Sequence, residues 1–425
     1  MVDAFLGPRV PRWAQLNRAI DERDDMLDFA IKLFDHDRDA AVSNYFQNGF
    51  EQFELVRHIA GWRAHPRTML DFASGYGRLT RFLVHEHLAD DVTVSDILEG
   101  GMEFQAAQFG VKTILSTTRP EDFRATGKYD LIFVASLFTH LPAAAFTAWL
   151  QKLATLLEPE GLLLFSVHDQ SIAPVAVDGI AFQSHSESRV LDVNEYGSTW
   201  VTEEYVRDQV AAIDPAFACV RLPRALSDWQ DVYVVSPRLI ADPKPRAVPK
   251  GFLDQFEMND EALRFGGWAT VLGEVVDRVE VRVDNELVAT ARELHERDDV
   301  AAWLKIDRAR TSGWSCDVPY HAIRSFRYQV VTVSAFSREG VERILFHGAI
   351  ESLSGVIARE KAKQRAEELA QRGVELGSLR HDLSVAAHQR DTLAQQIEAM
   401  RQSRFWKARE QWFAVKRAAG LTDEE

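Results

Sequence analysis

The stretch 69–80, "MLDFASGYGRLT", constrains this chain more than any other. An apolar run, Thr68 to Phe72, reads as a strand, and "RLTRFLVHEHL" after it reads as a helix. Two glycines one residue apart, Gly75 and Gly77, therefore sit in a strand-to-helix turn. Glycine there supplies positive φ and lets a ligand approach the backbone. The helix that follows offers unpaired N–H groups to the same ligand. A nucleotide-like cofactor is the first expectation.

The flanking sequence fits a sheet that holds such a turn. Residues 1–65 read as a helical extension, with "DERDDMLDFAIKLF" giving an acidic start and apolar residues at helical spacing. Short apolar strands then alternate with helices: "TMLDFA", "DVTVSD", "YDLIFVAS" and "GLLLFSV", with "ILEGGMEFQAAQFG" and "PAAAFTAWLQKLATLL" among the helices. That alternation predicts an α/β domain over 66–238, a parallel sheet covered on both faces. After a helix near Glu203–Ala212, "FACVRL" and "DVYVVSP" are expected to close it as a hairpin.

The turn is not the dinucleotide fingerprint G-x-G-x-x-G, because the third glycine is missing and Asp71 ends the strand. A-x-G-x-G-x-x-T after Asp71 resembles motif I of class I S-adenosylmethionine-dependent methyltransferases, with Ala73 in place of the first glycine. The resemblance continues through Asp96 at the end of "TVSD", "KYDLIFVASLFTHLP" and "LLEPEGLLLFSV", covering about 45–238. It implies a Rossmann-like methyltransferase domain with S-adenosylmethionine as cofactor. It implies that Ala73, Ser74, Gly75 and Gly77 form the turn against the cofactor's amino-acid part. Asp71 orients that turn or reaches the methionine ammonium through water. Asp96, with Ile97 beside it, holds the ribose hydroxyls, a task suited to a carboxylate that accepts two hydrogen bonds. Ala135 and Ser136 flank the cofactor. Glu121 and Asp122 are the acids available to the adenine amine, and Asp122 is the one chosen. Asp130 is expected to cap a strand end. His140 and His168, after the fourth and fifth strands, are the candidate general bases, since imidazole titrates near neutrality. Each has an alternative as a packed histidine. Tyr196 and Trp200 are candidates for a substrate pocket or for the core.

Composition narrows the rest. A formal charge of −15 argues against a general nucleic-acid binder. Two cysteines, Cys219 and Cys316, make neither a disulfide framework nor a zinc cluster and suit a reducing cytosol. The first residues lack a signal-peptide core, and no apolar run reaches the roughly 18–20 residues of a membrane span. A cytoplasmic location is expected, with peripheral contact at the inner face of the cell membrane.

Four prolines within 237–249 mark 239–250 as a semi-rigid linker. Over 251–350 the apolar period becomes two, and "RVEVRVDNELVATA" reads as a hairpin about Asp284-Asn285. About seven strands in a β-sandwich are expected. Over 351–425 no proline occurs, and Leu376, Leu379, Leu383, Ala386, Leu393, Ile397 and Met400 share one heptad frame, the pattern of a coiled coil. "RQSRFWKAREQWFAVKR" then interleaves basic and aromatic residues, suited to an anionic membrane or to packing between subunits.

This ending resembles tails on bacterial glycosyltransferases and polysaccharide-modifying enzymes, and the plan is similar to chain-terminating methyltransferases of O-antigen assembly. "FTHLP" resembles methyltransferases encoded among glycan enzymes. The resemblance implies O-methylation of a sugar of a surface polysaccharide or lipid-linked glycan by a homo-oligomer. The alternatives are a methyltransferase of a small metabolite or protein side chain, and a non-catalytic scaffold of the same fold.

Overall fold

The computed structural model describes residues 2–355 apart from 35, 64–66, 88, 126, 170–177, 185–190, 193, 242, 260, 272–273, 305 and 328, with scattered positions between 357 and 418. The chain divides into two units, Met1–Glu368 and Leu369–Glu425.

Three helices come first: α1 (Val2–Leu6), α2 (Asp25–Leu33) and α3 (Arg38–Ala60). Asp24 and Asp37 cap α2 and α3, accepting the N–H groups of Met26 at 2.9 Å and Ala40 at 3.1 Å. Then follow β1 (Met69–Phe72), α4 (Thr80–Glu86), β2 (Val92–Asp96), α5 (Glu99–Phe109), β3 (Lys112–Leu115), β4 (Tyr129–Val134), α6 (Ala143–Ala154) and β5 (Leu157–Asp169). These five strands pair in parallel in the order β3-β2-β1-β4-β5. β6 (Ile180–Gln183), β7 (Ser198–Val201), α7 (Glu203–Ile213), β8 (Ala218–Leu226) and β9 (Gln230–Ser236) complete the domain. β9 runs antiparallel to both β5 and β8, while β7 joins only the last two residues of β5 and carries β6. The expected parallel sheet is thus a mixed, Rossmann-like one. The hairpin of β8 and β9 reverses direction over a short turn, which a parallel pair cannot do.

Successive strand residues face opposite sides, and each side has its own core. Leu131 and Phe133 join Phe5, Leu6, Tyr45, Val56 and Ile59 of the N-terminal helices. Ile132 and Val134 join Phe146, Trp149 and Leu150 of α6 and Val206 of α7. The N-terminal helices are therefore one cover of the sheet. Each large side chain buried there contributes about 1.5–3 kcal/mol.

The proline-rich stretch after β9 is pinned along α3. Arg63 donates to the carbonyls of Arg238 and Leu239, both at 3.1 Å. His58 donates from Nε2 to Lys244 O at 2.7 Å, and Arg246 pairs with Glu54 at 2.6 Å.

Two sheets follow. One contains β10 (Lys250–Met258), β11 (Ala262–Val271), β12 (Glu274–Val275), β15 (Leu294–Glu296) and β16 (Thr311–Pro319). The other contains β13 (Arg278–Val283), β14 (Glu286–Ala291), β17 (Val330–Phe336) and β18 (Glu342–Ala349), and α8 (Asp298–Leu304) precedes β16. Phe265 and Trp314 of the first sheet share a core with Val281, Val333 and Phe346 of the second. Among the described residues the two sheets hold nine strands where about seven are expected, and the shortest, β12 and β15, have two and three residues. Asp284 and Asn285 turn the β13–β14 hairpin with φ 50° and 70°, the primed geometry that matches strand twist. Ile350 and Leu353 are buried in this core, so the module runs past residue 350.

In the second unit the described residues are helical, and Leu376, Leu379, Leu383 and Leu393 are exposed. Ile397, Met400, Phe405 and Trp406 lie outside the described residues. Arg409 stacks over the Phe413 ring at 4.9 Å. Among the described residues no helix is long and apolar enough to cross a membrane.

Candidate active site

A cavity of about 470 Å³ opens at the carboxyl ends of β1, β2 and β4, the end of a parallel sheet where ligands bind. Asp71, Ala73, Ser74, Gly75, Asp96, Ile97, Ala135, Ser136 and His140 all line it. The structure brings these nine expected residues together from three strand ends.

The turn between β1 and α4 is built on left-handed backbone. Ala73, Gly75 and Gly77 have φ of 58°, 57° and 77°. Ala73 thus holds a glycine conformation at a cost of about 1–2 kcal/mol. A Cβ on Gly75 would meet nothing within 4 Å, so the turn is open over that residue. Gly77 lies beneath, where a Cβ would come within 2.6 Å of Phe109 and 2.8 Å of Gln105. Its glycine serves packing of the turn on α5, and it is not on the cavity wall. A Cβ at Gly101 would stand 2.4 Å from Gly75 O, so a second glycine lets α5 approach. Gln105, fully buried, donates from Nε2 to Ser74 Oγ at 2.8 Å and to Gly75 O at 2.9 Å.

Asp96 accepts the Gly75 N–H at 2.8 Å on one oxygen and the Leu98 N–H at 2.9 Å on the other. It fixes the turn as well as facing the cavity. Burial raises its pKa, and those backbone bonds oppose the rise. Asp71 is buried beneath the turn and accepts the Thr80 hydroxyl at 2.9 Å. Burial pushes its carboxyl up to about 7; the Thr80 bond opposes this and the nearby Asp96 charge adds to it.

The N-terminal segment supplies a wall that sequence reasoning missed. Asp24, Asp25, Met26 and Gln52 line the cavity with Arg78. Asp24 accepts the Tyr45 hydroxyl at 2.6 Å. Arg81, buried, donates to Tyr45 Oη at 3.3 Å, Ala19 O at 3.0 Å and Gly77 O at 3.3 Å, tying that segment to the turn. A buried arginine this well partnered draws the N-terminal loop over the site. The only sequence signal was an Arg inside an otherwise apolar helix face.

After β4, Ser136 is left-handed at φ 56°; its N–H donates to Ser166 Oγ at 2.8 Å and its hydroxyl meets the Gln230 amide. The loop is stitched to β7: Gly197 N–H donates to His140 O at 2.9 Å and Thr199 N–H to Thr139 O at 2.7 Å. His140 Nδ1 lies 2.7 Å from Gly197 O. A carbonyl only accepts, so Nδ1 carries the proton and Nε2 is the basic nitrogen of the neutral ring. Tyr196 stacks on this ring, centroids 4.5 Å apart at 20°.

His168 is not on the cavity wall. It lies behind His140, centroids 6.4 Å apart, with Nδ1 buried and unpaired. Burial pushes its pKa down to about 4, and the charge of His140 adds to this. Asp122 is also away from the cavity, exposed and 3.7 Å from Arg119; Ser116, Thr117 and Thr118 line the site after β3. Asp130 lies at the opposite end of β4, accepting the N–H groups of Arg67 and Thr68 at 2.9 Å each. Trp200 lies 6.1 Å from His168 and off the wall, whereas Tyr196 is on it.

The donor set suits S-adenosylmethionine: an open glycine turn, a carboxylate for vicinal hydroxyls, a buried acid beneath the turn, and Phe72, Ile97, Leu98 and Leu137 for an adenine face. Residues 47–203 match the model of a family described as "Methyltransferase domain". No curated protein matches the chain. Among solved structures, the glycopeptide N-methyltransferase MtfA complexed with S-adenosyl-L-homocysteine is 14% identical, over 43% of this chain and 86% of that one, TM-score 0.33. An S-adenosylmethionine-dependent methyltransferase from Clostridium acetobutylicum is 13% identical, over 52% and 100%, TM-score 0.37. DesVI of Streptomyces venezuelae is 16% identical, over 52% and 100%, TM-score 0.36. Residues 47–203 of the chain are a methyltransferase domain.

Proposed function

We propose that this methyltransferase acts on a hydroxyl of a saccharide, as part of a bacterial surface polysaccharide or a lipid-linked glycan. The observation that carries the reading is His140, in the cavity of the glycine turn, with Nδ1 donating to Gly197 O, the tautomer in which Nε2 carries the basic lone pair. An alcohol needs a proton acceptor as it attacks; an acceptor that is already anionic does not. The wall around His140 supports a polyhydroxylated acceptor. Asn194, Glu195, Asp24, Asp25 and Gln52 offer carboxylates and amides, and Tyr196 an aromatic face.

Bound in this site, S-adenosylmethionine supplies an electrophilic methyl group on a sulfonium. Asp96 and the glycine turn fix its position. His140 Nε2 receives the hydroxyl proton, and the loop stitched to β7 holds the ring in place. Alignment of this kind is the main requirement of an in-line displacement.

The exposed leucines of the second unit support a homo-oligomer through a coiled coil, and the basic aromatic tail supports contact with an anionic membrane from the cytoplasmic side. The test of the acceptor is S-adenosylhomocysteine formation with saccharides and with small metabolites in parallel arms. Turnover confined to saccharides is expected, reduced about 10²–10⁴-fold in His140→Ala with cofactor affinity retained. Turnover on metabolites alone overturns the saccharide reading, and full turnover in His140→Ala removes His140 as the base.

A further inference from the structure

A second, larger cavity of about 770 Å³ lies between α3, the β8–β9 hairpin, the proline-rich stretch and the loop that joins β17 to β18. Its size is that of a ligand pocket. Seven basic and five acidic side chains line it. Most of the cations are neutralised in place. Arg9 pairs with Glu342, Arg246 with Glu54 at 2.6 Å, and Arg221 with Glu203 at 2.7 Å and Asp231 at 2.6 Å.

The least neutralised cations sit at the tip of the hairpin. Arg343 reaches Glu51 at 3.1 Å and also pairs with Asp228, and Lys250 lies 3.6 Å from the same Asp228. Lys250 Nζ also donates to the Arg224 carbonyl at 3.4 Å. The guanidinium of Arg224 has no acid partner among the described residues. Lys250 and Arg343 therefore share Asp228, and Arg224 is a third cation beside them. Burial depresses the Lys250 ammonium; Asp228 partly restores it, and the Arg224 and Arg343 charges depress it further.

The backbone that presents these groups is strained. Arg224, Ser227 and Asp228 have φ of 48°, 53° and 61°, three left-handed non-glycine residues within one hairpin tip. Each costs about 1–2 kcal/mol. Asp231, buried, holds the tip: it accepts the Arg224 N–H at 2.7 Å and Arg221 Nε at 2.6 Å. Strain that the surroundings enforce this firmly marks functional backbone more often than idle loops. Gln52 of α3 lines both this cavity and the methyltransferase site.

We propose that this cavity is a second saccharide subsite, one that takes a sugar unit bearing an oxyanion, phosphate or carboxylate, with Arg224 and Lys250 as its ligands. An incoming oxyanion supplies the acid partner that Arg224 lacks, and guanidinium binds both groups bidentately. The choice of a sugar as carrier rests on the saccharide reading above; the charge argument does not.

The test uses the full-length protein and titration calorimetry, so it reads binding and not methyl transfer. Glucose 1-phosphate, glucuronate, glucose and inorganic phosphate are the probes. Either charged sugar is expected to bind at least ~10-fold more tightly than glucose, and to weaken as salt rises. Arg224→Gly removes the guanidinium while suiting φ 48°, so it keeps the hairpin conformation. It should lose ~10-fold or more in affinity for the charged sugar, as should Lys250→Gln, while both bind S-adenosylmethionine as the unmodified protein does. Equal affinity for glucose and the charged sugars, or unchanged affinity in both variants, overturns the proposal. Inorganic phosphate binding as tightly as glucose 1-phosphate overturns the sugar carrier. Failure of these arms with intact methyl transfer to saccharides leaves the active-site reading standing.

Discussion

Replacing Asp71 by Asn should stabilise the cofactor-free protein and weaken its hold on the cofactor, and the first effect should depend on pH. Burial raises the Asp71 pKa from 3.8 to about 7. A raised folded-state pKa means that ionisation opposes folding: the group costs nothing below about pH 4, and the penalty grows until pH passes 7. Each unit is worth about 1.4 kcal/mol. The full penalty is then about 4 kcal/mol at pH 8, and about 1–2 kcal/mol at pH 5, where only the unfolded chain is ionised. Asn carries no such charge, and its side-chain oxygen can still accept the Thr80 hydroxyl that lies 2.9 Å from Asp71. The stability gap between variant and parent should therefore widen by about 2–3 kcal/mol from pH 5 to pH 8. Denaturant unfolding of both proteins at the two pH values, read by tryptophan fluorescence, measures it. A gap that is the same at both, or a variant less stable than the parent at pH 8, refutes the account of a buried, destabilising carboxylate. Calorimetry with S-adenosylmethionine completes the test: affinity should fall in the Asn variant, since the charge that opposes folding is the one available to an ammonium.

Asp96→Ala should weaken cofactor binding about 30- to 150-fold, from loss of about 2–3 kcal/mol of charge-assisted bonding; because Asp96 also holds the Gly75 and Leu98 N–H groups, a lower melting temperature should accompany it. Ala73→Gly should leave cofactor affinity within about twofold and change stability by less than about 1 kcal/mol, as relief at φ 58° is offset by the freer unfolded chain; a loss above 2 kcal/mol would show that the Ala73 methyl packs. Cutting after Glu368 should yield a cofactor-binding species that no longer self-associates in sedimentation or binds anionic liposomes at low salt, whereas a cut after Ser352 also removes the buried Leu353 and should unfold the sandwich. Equal liposome binding by the full and shortened chains would sink attachment through the tail.

The site was legible where chemistry fixes spacing. Gly75, Asp96 and Ala135 could be found because strand ends and the turn repeat at readable intervals in the sequence. Gly77 has the positive φ that the turn leads one to expect, but its packing on Phe109 and Gln105 shows only in the fold, since a glycine needed for packing and one needed for ligand approach look alike in a sequence. Asp122 was misplaced because the chain after β3 carries several polar residues at similar distance, and only the fold shows that Ser116–Thr118 reach the cavity. Asp24, Gln52 and Gln105 were not legible, and Arg81 showed only as an Arg inside an apolar helix face. Their roles depend on partners 21 to 64 positions away, such as Tyr45 for Asp24, Gly75 for Gln105 and Asn17 for Arg81. The sandwich was readable from its period of two, but its two shortest strands carry too few residues to show any period.

The proline-rich stretch has a mechanical consequence. A tether of free chain would let the sandwich diffuse about the methyltransferase domain and sample many separations. Bonds to His58 and Glu54 of α3, and to Arg63 just past its end, fix the stretch instead, and Arg343 on β18 closes a second attachment to Glu51 of that helix. Two fastenings on one rigid rod remove the hinge. The sandwich is then held to α3 at two points rather than swinging on a free tether.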